Sequence, residues 1–202
     1  MIGIVKYRAG NLASVSNALD RLHASYRISD VPEELEECSG ILFPGVGHAA
    51  SAMEDLEARG LDTWLRETSK PVLGICLGLQ LLYESTAEGE CRTLGILPGR
   101  LERFDSTEQK VPHMGWNRVE PKVSHPLLDG LSRRDYFYFV HSYYAPVNEY
   151  TIAGGTYGVP FAAVAARKNY MGVQFHPEKS GTAGARLLKN FTEFVQVQPE
   201  SQ

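Results

Sequence analysis

The stretch KPVLGICLGLQLL, residues 70–82, places a cysteine between two glycines at the point where an apolar run gives way to a helical pattern. The apolar run predicts a buried strand, and the residues after Cys76 predict a helix. A strand that turns directly into a helix holds its junction residue in a strained conformation, and the residues two positions away crowd against the turn. Gly74 and Gly78 occupy those crowded positions. The stretch therefore predicts an α/β fold with a sharp turn centred on Cys76.

Strand-like and helical segments alternate through the first half of the chain: IGIVKY, NLASVSNALDRLHA, GILFPG, ASAMEDLEARGLDTWL, and PVLGIC with its helix. This alternation favours right-handed βαβ units and a largely parallel sheet. After Gly89, strand-like pieces broken by Gly, Pro and Asn predict an antiparallel extension on the same sheet, and residues 180–196 predict a closing helix. We therefore expect one doubly wound, flavodoxin-like α/β domain over residues 1–196, followed by a polar tail at 197–202.

Composition limits the classes of function. The 202 residues carry 20 Lys and Arg against 24 Asp and Glu, a formal net charge of −4 at pH 7. This balance argues against electrostatic binding of nucleic acid or of an anionic membrane. The N-terminal residues lack the pattern of a signal peptide and no run reaches transmembrane length, so we expect a cytoplasmic protein with reduced cysteines. No cysteine pair has the close C-x-x-C spacing of a metal knuckle or redox site.

Cys76 has two alternative roles. The helix that begins after it supplies a partial positive charge and free backbone N–H groups, which favour a thiolate. The turn would also expose the sulfur at the carboxyl end of the sheet, where open α/β folds bind ligands. The alternative is a small buried residue, because free cysteine packs as a hydrophobe. This stretch alone supports the nucleophile and the buried residue equally.

A candidate base for Cys76 lies in VQFHPEKS, residues 173–180. His176 and Glu178 are two residues apart, so in an extended segment both side chains leave the same face, and Glu178 can hydrogen-bond the far ring nitrogen. Pro177 between them fixes φ and blocks helix formation. The alternative is that His176 and Glu178 only cap the closing helix.

A third candidate element is LFPGVGHA, residues 42–49, an apolar strand that opens into a glycine-rich loop. Such a loop can aim backbone N–H groups at developing negative charge, here from Val46 and Gly47, with a further donor at the N–H of Leu77. The loop lacks the pattern of a phosphate cradle. Taken alone, it could equally be a plain turn.

These three elements resemble, in residue type and order, the class I glutamine amidotransferases, also called triad glutaminases. FPGVG resembles their oxyanion strand, GICLGLQ their nucleophile elbow, and FHPE their His and Glu segment, in a likeness that extends from near residue 1 to about 195. The resemblance implies hydrolysis of L-glutamine to glutamate and ammonia by Cys76, His176 and Glu178, with no metal or organic cofactor. It also implies glutamine binding by five residues: Gly47, Gln80, Glu88, Ser142 and Tyr143.

Further segments resemble one branch of that family, the glutaminase subunits of imidazole glycerol phosphate synthase in histidine biosynthesis: GNLASV, ILPGRLERF, YFVHSYY, FHPEKS and, as the most diagnostic, PHMGWN. The resemblance implies a heterodimer in which ammonia passes to a (β/α)8 cyclase subunit that forms imidazole glycerol phosphate and aminoimidazole carboxamide ribonucleotide. Trp116 and Tyr138 are expected to face the partner, because aromatic anchors are enriched at interface centres. Asn11 and Lys179 resemble interface positions of the family and are expected there as well. His113 and His141 are expected to be structural.

The chain departs from the family in two places. Lys6 and Arg8 stand where many relatives carry an acidic residue and a glycine, which leaves the detail of that partner-facing loop open. Val46 has a branched side chain that resists positive φ, whereas related glutaminases often have several glycines in this loop. We expect the loop to rest with its amide turned away from the oxyanion hole and to be re-aimed when the partner binds its substrate.

Three other functions fit parts of the sequence. The chain could be the glutaminase subunit of another ammonia-channelling synthase, for example pyridoxal phosphate synthase. It could be a redox-sensing protein in which Cys76 becomes oxidised, although that function leaves His176 and Glu178 without a role. It could also be a cysteine peptidase, although nothing in the sequence argues for an open peptide cleft.

Overall fold

The computed structural model describes residues 1–197, so the predicted polar tail lies outside the described residues apart from Val197. The strands are β1 (Ile2–Val5), β2 (Tyr26–Ser29), β3 (Gly40–Gly45), β4 (Val72–Cys76), β5 (Ser85–Thr86), β6 (Cys91–Arg92), β7 (Arg100–Arg103), β8 (His113–Arg118), β9 (Glu120–Pro121), β10 (Tyr136–His141), β11 (Tyr143–Tyr144), β12 (Thr151–Tyr157), β13 (Val159–Arg167) and β14 (Tyr170–Val173). The helices are α1 (Leu12–Arg21), α2 (Pro32–Glu36), α3 (Ala49–Ala58), α4 (Leu61–Glu67), α5 (Leu77–Leu82) and α6 (Gly181–Val197). Short 3-10 turns lie at Glu88–Glu90, Pro126–Leu128 and Pro177–Lys179.

The main sheet has eight strands in the order β2, β1, β3, β4, β14, β13, β12 and β9. The first five are parallel, and the last three continue the sheet in antiparallel pairing. Every residue of β3, β4 and β14 is buried, as expected for central parallel strands that are covered on both faces. The predicted mostly parallel α/β fold with an antiparallel extension is therefore confirmed.

The predicted extent of the antiparallel extension is partly wrong. β7 and β11 belong to a separate four-stranded sheet, in the order β11, β7, β5 and β6, and β10 pairs only with β8. β14 was expected in the extension, but it runs parallel to β4 at the centre of the main sheet. The burial pattern gives the reason: β14 is buried throughout, whereas buried and more exposed residues alternate along β8 and β10, which suits a sheet with one solvated face.

Two apolar clusters form the core. Successive residues of β1 belong to different clusters, Ile4 to one and Val5 to the other, so the clusters lie on opposite faces of the sheet. Helices α1 and α6 contribute to the first cluster, and α3, α4 and α5 to the second. This double covering places the ends of β3 and β4 between helices, where the candidate site lies. No helix within residues 1–197 is long and apolar enough to cross a membrane.

Candidate active site

The predicted sharp turn between strand and helix is present at Cys76. This residue ends β4, has φ 54° and ψ −107°, and is followed directly by α5. A positive φ is strained for any residue with a side chain. A Cβ atom at Gly78 would lie 1.7 Å from the Phe43 carbonyl oxygen, and one at Gly74 would lie 2.7 Å from the backbone nitrogen of Leu79. Glycine is therefore required at both positions by close approach of backbone to backbone.

A cavity of about 280 Å³ opens above Cys76. Its lining includes Cys76, His176 and all five of the predicted glutamine-binding residues. The complete lining is Val46, Gly47, Cys76, Leu77, Gln80, Glu88, Pro112, Val140, His141, Ser142, Tyr143 and His176. Its size suits a single small substrate.

His176 and Glu178 form a buried pair beside this cavity. The Nδ1 atom of His176 lies 2.8 Å from Oε1 of Glu178, and the two side chains are 1% and 0% exposed. The other ring nitrogen, Nε2, is buried and has no hydrogen-bond partner among residues 1–197. Pro177 does not keep the segment extended as predicted, because it begins a 3-10 turn, a position that proline favours. The pair nevertheless forms across this turn.

Electrostatics favour a charged ring at His176. Burial lowers the pKa of the imidazole, but the neighbouring Cys76 sulfur and Glu178 carboxylate together outweigh burial and raise the pKa to about 10. A protonated imidazole beside a cysteine can activate the sulfur as a nucleophile and supply a proton to a leaving group.

The glycine-rich loop lies next to Cys76, because Gly45 of β3 pairs in register with Cys76 of β4. The N–H of Val46 donates a hydrogen bond of 2.7 Å to the carbonyl of Ala9. In this conformation the Val46 amide is therefore bound to the β1–α1 loop and does not serve as an oxyanion donor. Leu77 is the first residue of α5, so its N–H has no acceptor within the helix and can serve.

Two predicted glutamine ligands also have partners within the protein. The Nε2 atom of Gln80 donates to the carbonyl of Tyr143 and to Oε1 of Gln174, both at 3.0 Å. The Oε2 atom of Glu88 accepts the N–H of Ala49 at 2.7 Å, at the start of α3. Gln80 therefore has a fixed orientation in the cavity wall, and Glu88 has one oxygen committed to α3.

His113 and His141 hydrogen-bond to each other and to the backbone, as structural histidines do. The Nδ1–H of His141 donates to the carbonyl of Tyr143 at 2.8 Å, since a carbonyl can only accept. Nε2 of His141 is then the acceptor for Nδ1–H of His113 at 2.9 Å. Burial lowers the pKa of His113 to about 4 and that of His141 to about 3. Both rings are therefore neutral at pH 7.

Stability is expected to fall as the pH drops below about 6.5, because the unfolded chain binds protons that the folded His113 and His141 do not. Their contribution is complete above the unfolded pKa and is lost as the pH falls toward 4. The slope should reach about 1.4 kcal/mol per pH unit for each histidine. His176 adds no slope in this range, because its raised pKa affects stability only above pH 6.5.

Urea denaturation between pH 7.5 and 4.5 measures this slope. His113→Gln should reduce the slope by the contribution of about one proton, whereas the exposed control His23→Asn should retain the full slope. Equal slopes for the two variants would contradict the assignment.

Three of the predicted partner-facing residues form one cluster on the β8–β10 sheet and the adjoining turn. Trp116 is 57% exposed and meets Tyr138 edge-on, with ring centroids 6.0 Å apart. Nζ of Lys179 lies 5.9 Å from the centre of the Tyr138 ring. The fourth residue, Asn11, donates from Nδ2 to Oε1 of Glu178 at 3.2 Å, so it contacts the His–Glu pair directly.

Sequence reasoning missed two groups in the site. The carbonyl of Ala9 holds the Val46 amide, and nothing in an alanine side chain signals that role. Gln174 is fully buried next to Cys76, and a polar residue directly after an apolar strand was the available signal for it.

Known proteins resemble this chain over nearly its whole length. A family model described as glutamine amidotransferase class-I matches residues 6–194. The chain is 45% identical over 190 residues to the imidazole glycerol phosphate synthase subunit HisH of Mannheimia succiniciproducens, with 94% of this chain and 98% of that protein covered. It is 47% identical over 204 residues to the subunit of the same name from Desulfitobacterium hafniense, with 96% and 95% covered.

Two solved structures share the fold at low sequence identity. One is described as the crystal structure of glutamine amidotransferase, with a TM-score of 0.75, 20% identity and 97% and 99% of the two chains covered. The other is the structure of PurLQS from Thermotoga maritima, with a TM-score of 0.72, 16% identity and 96% and 98% covered.

Proposed function

The chain belongs to the class-I glutamine amidotransferase family, and on that premise we propose that it is the glutaminase subunit of an imidazole glycerol phosphate synthase. The observation that carries this proposal is that Cys76 and His176 line one small cavity and that Glu178 pairs with His176. Identity of about 45% to synthase subunits, over nearly the whole length of both chains, supports the choice of synthase. The reaction belongs to histidine biosynthesis, and we place it in the cytoplasm.

The reaction proceeds in two covalent stages. The Cys76 thiolate attacks the side-chain amide carbon of glutamine, and the resulting oxyanion is held by the N–H of Leu77 and by the glycine-rich loop at Val46 and Gly47. The intermediate collapses as protonated His176 gives its proton to the departing nitrogen, which releases ammonia and leaves a thioester on the sulfur. Neutral His176 then removes a proton from water, and the hydroxide attacks the thioester to release glutamate. Glu178 holds the ring in position throughout.

Ammonia passes directly to a (β/α)8 cyclase subunit in a heterodimer, which uses it to form imidazole glycerol phosphate and aminoimidazole carboxamide ribonucleotide. The cluster of Trp116, Tyr138 and Lys179 supports a docking face on the β8–β10 sheet, since aromatic side chains anchor protein interfaces. Asn11 contacts Glu178, so this face continues to the catalytic pair.

The partner also gates the glutaminase. The bond from the Val46 N–H to Ala9 supports a resting state in which the oxyanion hole lacks one donor. Ala9 and Asn11 belong to the same segment before α1, and a partner that moves this segment would free the Val46 amide. Such gating requires the loaded cyclase to bind the active state more tightly than the resting state.

The test is the rate of ammonia release from glutamine by the chain alone, with the cyclase, and with the cyclase and its nucleotide substrate. We expect strong stimulation that requires the nucleotide, and heat-denatured cyclase serves as the control. A fast rate that the cyclase leaves unchanged would assign the glutaminase to another synthase, such as pyridoxal phosphate synthase. Peroxide oxidation of Cys76 without glutamine turnover under any condition would favour redox sensing.

Replacing Trp116 by alanine should weaken binding of the cyclase by about thirtyfold or more, because a large exposed aromatic ring is lost from the proposed interface centre. The measurement is a titration of labelled cyclase with each variant. Val31→Ala is the matched control, since Val31 is 41% exposed and adjoins β2 at the far edge of the main sheet. An equal, small effect of both substitutions would exclude Trp116 from the interface.

A further inference from the structure

Two buried side-chain amides, those of Gln174 and Gln80, lie behind Cys76. Gln174, which follows β14, is 0% exposed, and its Nε2 atom lies 3.8 Å from the sulfur of Cys76. Its Oε1 atom accepts a hydrogen bond from Gln80, whose second N–H donates to the carbonyl of Tyr143. A continuous series of hydrogen bonds therefore leads from the Cys76 sulfur through two side-chain amides to a backbone carbonyl.

The Tyr143 carbonyl determines the direction of every hydrogen bond in this series. A backbone carbonyl can only accept, so the Gln80 atom facing it must be the nitrogen. That nitrogen also faces Gln174, so the Gln174 atom that it meets must be the oxygen. Gln174 is left with its NH₂ group toward the sulfur. The amide therefore presents a hydrogen-bond donor to Cys76 and cannot turn without breaking the hydrogen bond from Gln80.

The two neighbours of the sulfur suit its two protonation states. The carbonyl of Val140 lies 3.9 Å from the sulfur and can only accept, so it pairs with a neutral thiol. The Gln174 NH₂ group can only donate, so it pairs with a thiolate. Hydrogen bonding to the charged form of a group favours that form. His176 and Glu178 have roles in the proposed reaction, whereas Gln174 has none.

We propose that Gln174 is a positioning residue that donates a hydrogen bond to the Cys76 thiolate, with its own orientation fixed through Gln80 by the carbonyl of Tyr143. The inference rests on the proposed function for the role of Cys76 as the nucleophile. A second consequence concerns the substrate: both N–H groups of Gln80 are occupied, so only its Oε1 acceptor remains to meet a donor such as the ammonium group of glutamine.

The test is the rate at which iodoacetamide alkylates Cys76 between pH 5 and 9, with the modified residue identified by mass spectrometry. For Gln174→Met we expect the midpoint of the profile to move about one pH unit upward, so that the rate at pH values below the midpoint falls about tenfold. Gln196→Met, an exposed change on α6, is the matched control and should reproduce the unchanged profile. A folded Gln174→Met protein whose profile superimposes on that of the control would overturn the inference.

A second variant keeps the inference testable if Gln174→Met does not fold. Gln80→Met leaves Gln174 in place but removes the donors that fix its amide, so a smaller shift in the same direction is expected and a superimposed profile would again overturn the inference. Alkylation needs neither glutamine nor cyclase, so its outcome is separate from that of the proposed function. A shifted profile in a protein without glutaminase activity would contradict only the proposed function.

Discussion

Replacing Cys76 by alanine should lower the stimulated rate of glutamine hydrolysis by at least about ten-thousandfold while the chain stays folded. The sulfur forms the only covalent bond to the substrate in the proposed mechanism, and the remaining groups can bind glutamine but cannot form the thioester. Alanine keeps the Cβ atom and the backbone contacts of the turn, so the cavity should survive. The measurement is ammonia release in the presence of the loaded cyclase.

Cys91→Ala is the matched control for this change. Cys91 is a second free cysteine, partly exposed in β6, and does not line the cavity of the active site. Its replacement should leave the rate within about twofold, as expected for a surface substitution away from the site. A Cys76→Ala protein that retained activity would show that another group is the nucleophile and would overturn the covalent mechanism.

Replacing Gly78 by alanine should destabilise the protein by about 4 kcal/mol or more, or prevent folding, because the clash with buried backbone can be removed only by moving packed elements apart. A Cβ atom at this position would lie 1.7 Å from the Phe43 carbonyl oxygen. The oxygen belongs to the backbone of β3 and the added atom would be fixed to the backbone of α5, so α5 and β3 would have to separate. That movement would also displace Cys76 from the loop at Gly45, so activity should fall together with stability.

Gly95→Ala separates this steric effect from a general cost of losing glycine. Gly95 has φ 68°, and a Cβ atom there would meet nothing within 4 Å. Its replacement should cost only about 1 kcal/mol, the strain of a left-handed backbone with a side chain. Urea denaturation of the two variants decides the matter, since equal losses would mean that close packing at the turn is not what requires Gly78.

Much of the fold could be predicted because its signals are local. The alternation of apolar strands with helical patterns depends on neighbouring residues, and it correctly indicated a parallel sheet with helices on both faces. The partners of a strand are not local. β14 follows β13 in the chain and pairs with it, but its other neighbour is β4, nearly 100 residues earlier. Nothing within YMGV distinguishes an edge position from the centre.

The sequence by itself determined the turn at Cys76 and the types of residue available for chemistry, because G-x-C-x-G and H-P-E place particular side chains at fixed short separations along the chain. Only the tertiary structure decided how those side chains are held. The Ala9 carbonyl holds the Val46 amide, and the Tyr143 carbonyl orients Gln80 and Gln174. Every residue except proline carries the same backbone donor and acceptor, so the sequence cannot indicate which of them will face a catalytic group until the chain has folded.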